Sequence, residues 1–565
     1  MINEKIVETK KCKQCNCSFD ITDIDLVFYN KISPIFAGEK FQIPTPAFCS
    51  DCRQQRRLSC RNERKLYTRK CDKTNKTIIS IFSPDKKYKV YSHEYWWGDD
   101  WDALDYGTHF NFNISFFENF KKLDLLVPKL STTIQNSENC EYTNDTGDSN
   151  DCYLSYRTHY SSKINYCYRA NKSTNCVDCY QVKESENLYE CFQCNKCQNS
   201  RYLYNCENTH TSYFLYNCTG TKNCFLSYNL VNASYIFLNK VYSKEEYDKK
   251  VSEILNDDKK FREAKEYFFN MIECDIHFLN LNNINTEDSL GNELIECKDC
   301  INCFMMKGCE SCKYSWDNVN YKNSMDTYSG GGSEYSYETL ATKNSYKNSF
   351  THRIKESKNL LYCMFCFFSD DCFGCIGLRN KQYCILNKQY TKEEYENMVP
   401  KIIKHMKNTG EWGEFFPSSI SPFGYNETVA YEYFPLTKEK ALNLGFNWSD
   451  YEAPFPKVGK IIPANKLPAS INDIPDDILN WAIECEVTKK PFRIIVSELE
   501  FYRKNNIGIP RRHPDQRHYD RLKQRNSRKL YKRKCDKCFD DILTTYLPDT
   551  KKVIYCEKCY SKEVN

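Results

Sequence analysis

From Cys140 to Cys224 every cysteine of this chain falls in one register of three, at positions 140, 152, 167, 176, 179, 191, 194, 197, 206, 218 and 224. The other positions of the register are small or aliphatic, among them Thr143, Ser155, Ile164, Ala170, Val182, Leu188, Leu203, Ser212, Leu215 and Leu230. Asn, Lys, Glu and Tyr lie between them. A helix cannot use this pattern, because a strict period of three drifts around its surface. A solenoid that turns one side chain inward per triplet can. Residues 200–206 recur as 212–218, twelve further on, so about four triplets make a coil. The expectation is a thin β-solenoid with its bore filled by Cys, Ser, Thr and Leu, the cysteines acting as packing groups.

The register returns at Cys297, Cys300, Cys303, Cys309, Cys312, Cys363, Cys366, Cys372, Cys375 and Cys384, with Ser324, Thr327, Ser336, Thr339 and Ser345 between. Both stretches end alike, 237–247 matching 385–395. Ser243 with Glu246 and Thr391 with Glu394 are capping boxes, each opening a helix that closes a solenoid end. The middle therefore reads as a duplication: arms at 137–240 and 291–390, a helical cap and connector at 241–290, and a capping helix at 391–410.

The chain has 565 residues, enough for several domains. Its 34 cysteines suggest a disulfide scaffold, but such scaffolds are short, and here CxxC pairs recur. In a reducing compartment these are metal ligands or small buried hydrophobes. No run of 18 or more apolar residues is present, and the charged first residues lack an apolar signal region. The expectation is a cytoplasmic protein with no membrane partner. The abundance of Tyr, Asn and Lys reads as base composition and carries no functional weight.

The two ends are copies of one another. Residues 61–73 match 525–537 at eleven of thirteen positions, an offset of 464 that extends to Pro84 and Pro548. Under it the quartet Cys535, Cys538, Cys556 and Cys559 falls on Cys71, Thr74, Ser92 and Tyr95. Reciprocally, residues 12–31 match 485–504, and the quartet Cys12, Cys15, Cys49 and Cys52 falls on Cys485, Thr488, His513 and Gln516. Each end, 1–110 and 476–565, thus reads as a tandem zinc-ribbon pair with one metallated and one degenerate member. Two CxxC knuckles bring four thiolates to one point, where tetrahedral Zn²⁺ closes them at about 2.3 Å per sulfur. Four cysteines leave no open position, so both Zn²⁺ ions are expected to be structural. Cys15 and Cys49 stand far apart in sequence, so the first ribbon carries an insertion.

Beside each quartet runs a basic stripe. Residues 51–76 carry a net +7 and 503–537 a net +11, which leaves the rest of a chain of net +5 at −13. On a helix Arg53, Arg57, Arg61 and Arg64 share one face, and the 464 offset repeats them as Arg517, Arg521, Arg525 and Arg528. Lys65 and Arg69 repeat as Lys529 and Arg533. Guanidinium groups along one face span neighbouring phosphates bidentately, so these twelve residues are the candidate nucleic-acid contacts. The competing expectation is that the arginines pair with the acidic middle. RNA is favoured over DNA because no helix-turn-helix, zinc-finger helix or zipper is legible.

Residues 48–57, 90–97 with 101–107, 421–428 and the terminal quartet together resemble the cysteine-rich, zinc-ribbon-ended proteins of candidate-phyla (Parcubacteria-like) bacteria. The resemblance spans most of the length. It implies architecture and brings no activity with it.

Of the remaining segments, 111–136 reads as a helical linker and 411–475 as an aromatic, Pro-rich packing module. The Trp and Asp cluster at 96–105 offers carboxylates to a metal-dependent nuclease, but adjacent aspartates on an aromatic loop more commonly cap and anchor. The expectation is a multi-domain, mainly β protein without enzymatic activity or a small-molecule substrate. In it the ribbon ends grip RNA or a ribonucleoprotein and the solenoid is a spacer. The alternatives are a protein-interaction scaffold using the solenoid surface and, behind it, the nuclease.

Overall fold

In the computed structural model, which describes residues 4–455 and 457–564, every third residue from Asn136 to Leu238 has a positive φ, Gly220 included. Each such left-handed corner directly precedes an inward residue: Asn139 before Cys140, Asp178 before Cys179, Lys196 before Cys197. Asn and Asp tolerate this conformation better than most side chains. The asparagines set aside as base composition therefore have a structural reason. They also form ladders along the arm, Asn175 Nδ2 donating to Asn187 Oδ1 (3.0 Å) and Asn187 Nδ2 to Asn199 Oδ1 (2.9 Å).

The chain is mainly β. In the first arm, strands pair in parallel with the segment twelve residues on: Tyr168 with Tyr180, Tyr180 with Phe192, Phe192 with Tyr204. Those rings stack at centroid separations of 5.3, 4.8 and 5.8 Å. Inside, serines repeat at the same spacing: the N–H of Ser161 donates to Ser149 Oγ, Ser173 to Ser161 and Ser185 to Ser173, at 3.1–3.3 Å. Cys152, Cys167, Cys176, Cys179, Cys191, Cys194, Cys197, Cys206, Cys218 and Cys224 are buried with Ile164, Val182, Leu188, Leu203 and Leu215. The second arm repeats the parallel register, Tyr337 with Ser349 and Thr339 with Thr351.

Each stretch is followed by a short hairpin and a capped helix. A short hairpin, Ser234–Phe237 with Lys240–Val241 in one and Cys384–Ile385 with Lys388–Gln389 in the other, leads into the helices Lys244–Leu255 and Lys392–Asn408. The Ser243–Glu246 and Thr391–Glu394 boxes are both formed. The expected linker helix is Phe116–Leu126, capped by Ser115 and Glu118.

The arms are related by an offset of 148 residues (Phe237 to Ile385), and their contact is two-fold in kind. Arg169 and Asp317, equivalent under that offset, form an ion pair with each other. Arg157 donates to Ser329 Oγ (2.9 Å), and the reciprocal pair is Gln181 against Met305 Sδ (3.6 Å). Contacts of i with j′ and j with i′ are the signature of an isologous interface, here within one chain. Asp317 also accepts from Arg157 at 2.6 Å. Burial pushes the Asp317 carboxyl up, but Arg157 and Arg169 outweigh it and hold the group well below the usual carboxylate range. Asp317→Ala leaves two half-buried guanidinium groups without their shared anion, Arg157 keeping only Asp145 at 3.8 Å. It is expected to cost about 3–5 kcal/mol, read as a lowered denaturation midpoint, with Arg169→Ala in the same background adding little.

Candidate metal centres and the buried arginine faces

All four knuckles share one backbone. In the N-terminal quartet the N–H of Cys12 donates to the carbonyl of Cys17 (2.9 Å) and that of Asn16 to Cys12 (3.0 Å). Cys535 and Phe539 do the same in the C-terminal quartet, and so do Cys71 with Asn75 and Cys485 with Lys489 in the two degenerate members. The residue after the second ligand position is left-handed in each, at φ 58, 64, 56 and 59° for Asn16, Phe539, Asn75 and Lys489. Hydrogen bonding alone therefore shapes the knuckle. In the degenerate members the surviving thiol accepts backbone N–H groups instead, Cys71 from Thr74 (3.5 Å) and Ser92 (3.3 Å), and Cys485 from Thr488 (3.4 Å).

Cys12, Cys15, Cys49 and Cys52, and Cys535, Cys538, Cys556 and Cys559, bring their sulfurs within 4.8 Å of one another. The Cys15–Cys49 and Cys538–Cys556 separations are both 3.7 Å. That is the edge of a tetrahedron with ligands about 2.3 Å from its centre, the Zn–thiolate distance, so both quartets are positioned to hold a metal ion. A hydrogen bond from Cys52 holds the Cys49 thiol down at about 4. Burial pushes the Cys535 thiol up, but the N–H groups of Cys538 and Cys556 bring it to about 6. Each quartet thus contains a thiol readily deprotonated for a cation. The insertion in the first ribbon is the helix Asp23–Ile32.

The arginine faces lie elsewhere than expected. The helices Ser50–Leu58 and Pro514–Leu522 occupy matching positions and stop before Arg61 and Arg525. In the first copy Asn62 ends the run with a turn, its side chain bonding the N–H and carbonyl of Lys65. The four arginines of each copy therefore do not share one helix face, and they point inward. Arg53 and Arg57 bind Asp326 at 2.8 and 3.0 Å, and Arg57 also pairs with Glu338, all within 2% exposure. Arg517 and Arg521 pair with Asp178. Asp178 and Asp326 are equivalent under the 148-residue offset, as are Tyr166 and Tyr314, over whose rings Arg517 (4.3 Å) and Arg53 (5.4 Å) stand. Arg525 over Tyr180 (5.9 Å) likewise mirrors Arg61 over Tyr328 (5.7 Å). Arg53 and Arg57 thus hold the second arm, and Arg517 and Arg521 hold the first.

The remaining candidates are mostly engaged as well. Arg61 pairs with Glu63 and Asp145, Arg64 and Lys65 with Asp515, Arg69 with Asp72, and Arg533 with Asp536. Arg528 stands over Trp316 (5.4 Å). Of the twelve, Lys529 is the one mostly exposed, at 58%, beside Asp51. The expectation of two arginine-lined faces free for phosphate is corrected: Arg53, Arg57, Arg517 and Arg521 are buried on carboxylates of the acidic middle, and Arg64, Lys65, Arg69 and Arg533 pair with carboxylates of the ends themselves. Sequence reasoning found the arginines and missed Asp178, Asp326 and Glu338. The signal for the aspartates was the coincidence of the two offsets, 464 between arginines and 148 between aspartates.

In the Trp and Asp segment, Trp96 and Trp101 are buried with Nε1 on the carbonyls of Pro128 and Trp96. Asp102 caps the turn at Leu104 (2.9 Å) and pairs with Lys381 (2.6 Å), while Asp99 and Asp100 are exposed. Among the described residues no helix is long and apolar enough to cross a membrane. No family model matches the chain, and no curated protein matches it.

Metal analysis is expected to find two ions per chain. Cys12→Ser should remove one, and Cys71→Ser and Cys485→Ser should remove none. Acid sensitivity follows from the buried ionisable groups. Burial depresses His352 and His518 well below 6.5 and His513 to about 4. Burial pushes Asp515 up, but Lys65 and Arg64 outweigh it and hold it well below its usual range. Below about pH 6.5 the unfolded chain binds more protons than the folded one, so stability falls with pH. Denaturant titrations should show a first loss between about 6.5 and 4 from the histidines. A second is expected below about 4, where Asp317 and Asp515 take up protons in the unfolded chain while staying ionised in the folded one.

Proposed function

We propose that this protein is a non-enzymatic interaction scaffold: two β-solenoid arms locked to each other by terminal ribbon pairs, each pair holding one structural Zn²⁺. The observation that carries this reading is the consumption of Arg53, Arg57, Arg517 and Arg521 by Asp178, Asp326 and Glu338, which spends these four arginines on holding the arms in place. The role of Trp96, Trp101 and Asp102 as an anchor between the first ribbons and Lys381 supports a structural assignment over a nuclease.

The place for a partner is a groove of about 1570 Å³ between the degenerate N-terminal ribbon and the start of the first arm, lined by Lys76, His93, Tyr95, Glu138, Asn139 and Asn150 among others. Each later coil donates the N–H of its corner residue backward, Asp148 to Gln135 and Asp151 to Glu138. Asn136 and Asn139 are the corresponding corners of the first coil, with no coil before them. An extended partner segment lying here gains those main-chain hydrogen bonds, as in strand addition.

A second reading, contact with RNA or a ribonucleoprotein, passes from the arginines to the lysines of the ribbon hairpins. Lys70 and Lys73 repeat as Lys534 and Lys537, and all four are exposed. The two readings separate cleanly. Glu138→Trp with Asn150→Trp fills the groove and should abolish retention of the protein partner recovered from the native host, with the thermal midpoint unchanged. Lys534→Glu with Lys537→Glu should leave it intact. Loss through the lysine pair alone, with steep salt dependence, would overturn the scaffold in favour of nucleic acid.

A further inference from the structure

The N-terminal quartet has a neighbour that its C-terminal counterpart lacks. Cys17 Sγ lies 3.1 Å from Cys15 Sγ, closer than the 3.7 Å between the ligand sulfurs of Cys15 and Cys49. Cys15 and Cys17 are exposed, whereas Cys12, Cys49 and Cys52 are buried. The matching position in the C-terminal knuckle, two residues after Cys538, is Asp540. One quartet therefore offers solvent a ligand thiol with a second thiol against it, and the other offers a ligand thiol beside a carboxylate. A disulfide requires the sulfurs to approach to about 2.05 Å, roughly one ångström nearer than they stand.

We propose that Cys15 and Cys17 form an oxidant-sensitive pair, Cys15 reacting and Cys17 resolving, whose disulfide opens the N-terminal quartet and leaves the C-terminal one closed. The proposal rests on the reading of the quartets as zinc sites. The oxidant is a hydroperoxide. The Cys15 thiolate attacks its distal oxygen, the O–O bond breaks, the alcohol or water leaves, and Cys15 becomes a sulfenic acid. The Cys17 sulfur then attacks the Cys15 sulfur, an S–S bond forms, the S–O bond breaks, and hydroxide leaves with the Cys17 proton as water. Two electrons pass from the two thiols to the peroxide. Cys15 is withdrawn from the quartet, which keeps three thiols.

The consequence reaches beyond the knuckle. Cys49 is the N-cap of the helix Ser50–Leu58, with no side-chain capping hydrogen bond, and Cys52 lies in its first turn. This helix carries Arg53, Arg56 and Arg57 to Asp326 and Glu338. Opening the quartet thus loosens the clamp on the second arm, while Cys556 and Cys559 continue to hold their ribbon.

The test uses the full chain loaded with zinc. Two zinc equivalents before oxidant establish the zinc reading. A lower content overturns that reading while leaving the thiol pair measurable. Hydrogen peroxide should release one equivalent, and the tryptic peptide 14–31, which contains both cysteines, should become two hydrogens lighter. Dithiothreitol should reverse both changes. Amide exchange should rise in residues 50–58 and not in 514–522. Cys17→Asp, which copies the C-terminal knuckle, and Cys17→Ser as a second variant should slow release at least about tenfold, since no resolving thiol remains. Release at the unaltered rate in both variants, or accumulation of Cys15 sulfinic acid without the internal disulfide, would overturn the proposal.

Discussion

The structure depends on a charge arrangement that water would normally dissolve: two arginines on one aspartate, fully buried, made twice. Arg53 and Arg57 enclose Asp326, and Arg517 and Arg521 enclose Asp178. Burying an isolated charge is prohibitive, and a buried pair gains little over an apolar contact. What such a pair supplies is direction. A guanidinium with its aspartate and its tyrosine face in place tolerates one position of the ribbon on the arm. The surrounding rings of Tyr166 and Tyr314 complete that geometry in both copies.

Because each clamp joins an end of the chain to the arm farther from it in sequence, the two halves are crossed. The strand pairings add the complementary link. Val90–Tyr91 runs parallel to Lys129–Leu130, just ahead of the first arm, and Val553–Tyr555 parallel to His277–Leu279, ahead of the second. Each ribbon pair is thus tied by a strand to the segment leading into one arm and by arginines to the other arm. The Arg169–Asp317 pair sits where the arms meet, between equivalent residues. A chain so tied resembles a dimer whose subunits have been joined end to end, with an isologous interface retained inside one molecule.

Metal enters this picture locally. The degenerate knuckles at Cys71 and Cys485 keep the same turn and the same hydrogen bonds as the quartets. A cation held by either quartet would add a cross-link from the hairpin to the following helix, where Cys49 and Cys52, or Cys556 and Cys559, stand. The apolar clusters around the two quartets are small, so a cross-link there would add proportionately more than elsewhere.

By itself the sequence determined whatever is local or periodic: the triplet register and its inward residues, the two capping boxes, the CxxC spacing of both quartets, and the offsets linking ends and arms. These follow from backbone geometry within a few residues, so neighbours in sequence suffice to read them. Which way the arginines face was decided only by tertiary structure. Arg53, Arg57, Arg517 and Arg521 read the same whether they meet phosphate or carboxylate, because a guanidinium fits both. Their partners Asp326 and Asp178 lie hundreds of residues away on corners indistinguishable from the other Asn and Asp corners of the arms. Only folding the duplicated halves across one another brought those charges together.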